Sequence, residues 1–125
     1  MITEDYVSFE TAELLKGKGF DGEDCFAFYN ENREIGFLQT FGDIADYYSE
    51  TSVLAPSLAM AMKWLREVHN KYIEICIDSS YNFKDIVFRP TIYGKELHCL
   101  WESDNYSTYE EAAEAALKYC LTNLI

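Results

Sequence analysis

Residues 60–75 read MAMKWLREVHNKYIEI, and inside that stretch the apolar period changes from three-and-four to two. Leu58, Ala61, Leu65 and Val68 recur at helical spacing, which predicts an amphipathic helix with its stripe against a sheet. Pro56 or Ser57 opens it, proline suiting a first turn and serine a cap. Beyond Asn70, Ile73, Ile75 and Ile77 alternate with Tyr72, Glu74 and Cys76, the pattern of a strand with one buried and one partly exposed face. Met60 and Trp64 lie four apart on a stripe beside the main one. They have two readings: gap-filling core under the sheet, or a flank left over for a partner or a second copy of the chain.

Toward the C-terminus, Ile86–Tyr93 alternates as a second strand, and Pro90 inside it predicts an edge position or a bulge. Tyr93-Gly94-Lys95-Glu96 is a tight turn into a third strand, Glu96–Glu102, with Leu97, Cys99 and Trp101 on one face. Thr108 with Glu111 forms a capping box for the last helix, Ser107 with Glu110 being the competing register. Tyr109, Ala112, Ala113, Ala116, Leu117, Cys120 and Leu124 line one side of that helix. Glu110, Glu111 and Glu114 stand in its first turns, where the helix dipole favours acids, and they are candidate contacts for a partner.

Toward the N-terminus, Ser8 caps a helix that Gly19 stops, with Phe20 turned back toward Leu15. The aromatic-rich runs of residues 25–41 predict a hairpin about the polar turn Asn30-Glu31-Asn32-Arg33. Residues 42–55 read as an acidic loop, in which Tyr47 and Tyr48 either form a contact site or cover the rim of the core. The fold these elements predict is α+β. It has one antiparallel sheet of three to five strands, helices packed mainly on one face, a C-terminal α-β-β-β-α segment, and a single domain over residues 1–125.

The formal charge of −12 narrows the partners. Residues 1–55 hold twelve acids against Lys16, Lys18 and Arg33, and residues 56–125 hold ten acids against seven bases. Phosphate binding needs clustered Lys and Arg, so nucleic acid and anionic membrane surfaces are poor partners. A basic protein partner suits the charge, and so does plain solubility. No apolar run approaches a membrane span, and the acidic start lacks the basic region of a signal peptide, which predicts a cytoplasmic protein. Cys25, Cys76, Cys99 and Cys120 are scattered without a CxxC pair, so no metal centre or cofactor is predicted. Neither a phosphate loop nor a GxSxG or HExxH motif occurs, His98 and Cys99 should point to opposite faces of a strand, and no catalytic residue is assigned.

Two resemblances add to this. From Ser57 onward the element order resembles a double-stranded-RNA-binding domain. That resemblance implies RNA binding through lysines at the start of the last helix, where this chain has Tyr109-Glu110-Glu111. The blocks SFETAELLKGKGF, APSLAMAMKWLREVHNKYIEI and YSTYEEAAEAALKYCL, about half the chain, resemble a group of small uncharacterised proteins from gut Bacteroidales and their phages or mobile elements. This resemblance implies a prophage-borne setting and supplies no catalytic residues. The leading functional expectation is a small acidic, non-catalytic interaction module for a basic protein, with self-association as a further expectation. A small-molecule binder or enzyme with a tyrosine-lined pocket is the alternative, and a degenerate RNA-binding domain comes third.

Overall fold

The computed structural model describes residues 2–22, 25–37 and 52–125, and each of the three helices among them starts at a side-chain cap. Ser8 caps α1 (Phe9–Gly17) by accepting the Thr11 N–H at 3.2 Å. Ser57, rather than Pro56, caps α2 (Leu58–His69), accepting the Met60 N–H at 3.1 Å. Thr108, rather than Ser107, caps α3 (Tyr109–Asn123), its hydroxyl accepting the Glu111 N–H at 3.1 Å. Each cap satisfies one of the amides that a helix leaves unpaired at its start. The far end of α1 closes as the glycine spacing predicts. Gly19 sits at φ +90°, and the N–H groups of Gly19 and Phe20 reach back to the carbonyls of Lys16 and Leu15. Asn70, at φ +54°, does the same service for α2.

Among the described residues the strands are divided between two antiparallel sheets of three. The first has the order β2-β1-β3, built from β1 (Ala27–Tyr29), β2 (Ile35–Phe37) and β3 (Val53–Leu54). The predicted hairpin is β1–β2, with Ala27 opposite Phe37 and Tyr29 opposite Ile35. In its turn the Asn30 side chain accepts the N–H groups of Asn32 and Glu34. The second sheet has the order β4-β5-β6, from β4 (Tyr72–Ser79), β5 (Ile86–Tyr93) and β6 (Cys99–Glu102). The fold class is α+β, and residues from Leu58 onward run helix, three strands, helix.

One core joins these elements. Val7, Leu15, Leu58, Ala61, Leu65, Ile92, Ala113, Ala116, Leu117 and Leu121 are buried together. Ile73, Ile75 and Trp101 pack against them, so α2 and α3 cover that face of the second sheet, and Trp101 stacks on Tyr119 at 4.6 Å. The opposite face bears Glu74, Arg89 and Glu102 around the buried Thr91. The N-terminal strap is tied in by backbone bonds from Val7 N–H to the Pro56 carbonyl and from Leu58 N–H to the Asp5 carbonyl.

The single sheet expected from the sequence is divided in two, Val53–Leu54 pairs as a strand inside the stretch read as a loop, and Tyr109 is exposed while Leu121 is buried on α3. Four further details differ from the sequence reading. Val68 is exposed and Met62 is buried in its place. At 3.6 residues per turn Val68 lies roughly 80° from Leu58, off the centre of a stripe that Met62 helps to form. Pro90 is not on an edge strand, because β5 is central; its carbonyl accepts from Ser103 just past the end of β6. The donor that proline lacks therefore falls where the β6 ladder stops. The irregularity in the ladder lies instead at Ile92/Tyr93. Leu97 belongs to the turn at φ +63° and is exposed, so it shares no face with Trp101. Ile77 continues the apolar face of β4 but is 72% exposed, beyond the reach of the helices.

Candidate functional site

The strap and the first turns of α3 enclose two neighbouring grooves. One, of about 510 Å³, runs between Asp5, Tyr6 and Ser8 on the strap and Glu110, Glu111 and Lys118 on α3. A neighbour of about 450 Å³ shares Asp5, Leu58 and Glu110 with it and reaches Glu4 and Tyr109. The floor is apolar, from Leu58, Tyr106 and Ala115, and the rim is acidic. Glu4, Asp5, Glu110 and Glu111 all face solvent. Lys118 is the basic side chain lining the first groove, and it already donates to Glu10 at 2.8 Å. That bond holds the Glu10 carboxyl below its usual range and raises the Lys118 ammonium.

Glu114 is placed differently from its two neighbours on the helix. Its carboxylate turns inward to the start of α1, where it accepts the Ser8 N–H at 3.2 Å and the hydroxyls of Ser8 and Thr11. A carboxylate at a helix N-terminus is favoured by the unpaired amides and the dipole there. Glu114 therefore joins α3 to α1, while Glu110 and Glu111 remain available at the rim. No spacing in the sequence marks such a pairing across 106 residues.

Met60 and Trp64 are half-buried on the flank of α2. Trp64 meets the Phe20 ring edge-on at 5.6 Å and the His69 ring at 4.7 Å. Both side chains border a cleft of about 200 Å³, and Met60 also borders one of about 260 Å³ with Glu4 and Tyr6. The structure thus brings Met60 near the strap and seats Trp64 among aromatic neighbours. Tyr47 and Tyr48 lie outside the described residues.

The remaining reactive groups are engaged singly. His98 faces Glu96 at 3.5 Å and the Cys99 thiol faces the Trp101 carbonyl at 3.7 Å, so each has its own neighbour. On the face of the second sheet away from the core the Cys76 thiol donates to Glu74 at 2.8 Å, which raises its pKa, and Arg89 lies between Asp78 and Glu102. Burial pushes the Cys120 thiol up to about 11. Among the described residues no group of three or more His, Cys, Asp or Glu is placed to hold a metal ion, and no helix is long and apolar enough to cross a membrane. No protein-family model, curated protein or solved structure matches the chain.

Proposed function

We propose that the chain is a small, non-catalytic protein-interaction module that takes a basic segment of a partner protein along the groove between the strap and α3. The observation that carries this reading is the composition of that groove. Four solvent-facing acids, Glu4, Asp5, Glu110 and Glu111, rim an apolar floor, and the Lys118 ammonium is already turned to Glu10. Glu110 and Glu111 also offset the dipole of α3, and they would do so without any partner. The dipole does not account for the second wall, where Glu4 and Asp5 are held opposite them by the backbone bonds at Asp5 and Val7. Lysine or arginine side chains would meet the rim while an apolar side chain between them covers Leu58 and Tyr106.

The same surface argues against the resemblance in element order to RNA-binding domains, since phosphates would meet Glu110 and Glu111 at the start of the last helix. The test is capture of basic proteins from host lysate at low and high salt, with the native chain beside the Glu110→Lys, Glu111→Lys double variant. The reading expects basic proteins on the native chain alone, released as salt rises. Equal capture by both, or capture of nucleic acid, sinks it.

A further inference from the structure

The β4–β5 hairpin carries apolar surface that the groove does not use. Ile77, Tyr81, Phe83 and Ile86 are each 65% exposed or more. Ile77 stands opposite Phe88 and Ile86 opposite Ser79 in the ladder, so Ile77 and Ile86 lie diagonally on one face, the face that α2 and α3 cover further along. The edge of that cover is Tyr109, whose ring meets Phe88 at 6.2 Å. Beyond it the apolar face simply continues into solvent.

The loop at the hairpin end is firmly built. Ser80 N–H donates to the Asp85 carbonyl at 2.8 Å and Phe83 N–H to the Ser80 carbonyl at 2.9 Å. The side chains of Ser80 and Asn82 accept the N–H groups of Asp85 and Lys84. Phe83 is held at φ +59°, a conformation that a bulky residue rarely adopts. Two aromatic rings are therefore presented to water from a fixed turn, which lowers the ordering cost of any contact they make.

We infer that this hairpin is a self-association surface, on which two copies of the chain pack tip against tip through Ile77, Tyr81, Phe83 and Ile86. Area and charge name the occupant. Two aromatics and two isoleucines at this exposure offer on the order of 600 Å² per copy, near the roughly 800 Å² that each side gives to a stable interface. Residues 72–93 hold Glu74, Asp78 and Asp85 against Lys84 and Arg89, a net of −1 in a chain of −12. Copies repel one another elsewhere and meet at little cost here. A basic partner is drawn instead to the acidic groove, so this nearly neutral patch suits a second, equally neutral copy. The surface is independent of the groove, and either assignment stands without the other.

Sedimentation of the full chain from micromolar to millimolar concentration tests this, with the native chain beside Phe83→Gly and the Ile77→Thr, Ile86→Thr pair. Glycine relaxes the positive φ and threonine keeps the strand preference, so folding is preserved while the apolar area is lost. The native chain should dimerise, each variant should weaken the dimer at least ~10-fold without lowering the melting temperature of the dilute, monomeric chain, and added salt should tighten the native dimer by screening repulsion. Groove binding responds to salt in the opposite sense, so the two assignments fail separately. A native chain that stays monomeric throughout overturns the inference. So does a dimer that the variants leave intact, or a hairpin that binds phosphatidylcholine vesicles while the chain remains a monomer.

Discussion

Glu114 on α3 accepts the backbone N–H of Ser8 at 3.2 Å, and Ser8 is the residue that caps α1. One carboxylate thus fixes the start of the first helix to the second turn of the last, and with it the strap that forms the acidic groove. Thr11, whose hydroxyl also donates to Glu114, is fully buried.

Removing that carboxylate leaves a buried hydroxyl and a helix-end amide short of an acceptor. Glu114→Ala is expected to cost about 1–3 kcal/mol, lowering the melting temperature by roughly 3–10 °C. Glu111→Ala, on the exposed side of the same turn, should shift it much less. Thermal unfolding followed by circular dichroism decides, and equal shifts would refute the structural role given to Glu114.

The Glu10–Lys118 pair gives stability a defined pH window. Glu10 has a lowered pKa in the fold, so its contribution is complete above the ordinary value of 4.5 and is lost as pH falls through the lowered one. Lys118 has a raised pKa, so its contribution is complete below the ordinary 10.5 and is lost as pH rises through the raised one. The melting temperature of Lys118→Met should therefore lie furthest below native between those two values and converge on it outside them. A difference that stays constant into acid would contradict the pairing.

The four thiols should label in a fixed order. Cys99 is exposed, Cys76 is half-buried with Glu74 raising its pKa, and Cys25 and Cys120 are buried, the last pushed up to about 11. Because the thiolate is the reacting species, a thiol reagent near pH 8 should take Cys99 first and Cys76 more slowly. It should reach Cys25 and Cys120 only on unfolding. Mass-resolved labelling reads the order directly, and early labelling of Cys120 would place the α3 core wrongly.

Local chemistry made much of this fold legible beforehand. Ser8, Ser57 and Thr108 act through amides three residues away, and Gly19 acts through its own φ, so the sequence contains both sides of each interaction. The alternation of β4 and the small-residue face of α3 belong to the same kind of signal. What escaped it depends on distant partners. The division of strands into two sheets follows from β3 pairing back onto β1, and the central position of β5 around Pro90 from ladders on both its sides. The exposure of Ile77 follows from where the helices end on the sheet. Among the site residues, Glu110, Glu111 and Glu114 look alike in the helix, yet only Glu114 turns inward, because α1 presents Ser8 and Thr11 to it. Glu4 and Asp5 joined the groove through backbone bonds to Pro56 and Leu58 that no residue pattern announces.

The most direct test of the account separates the groove from the overall charge. Binding of an arginine-rich peptide with interspersed leucines is measured across a salt series for three proteins: the native chain, Glu110→Lys with Glu111→Lys, and Glu13→Lys with Glu67→Lys. The two pairs change net charge equally, but the second lies away from the groove. The groove pair should lose at least ~10-fold in affinity while the other pair stays within about threefold of native. Equal losses for both pairs would show attraction to bulk charge alone, and would contradict a site between the strap and α3.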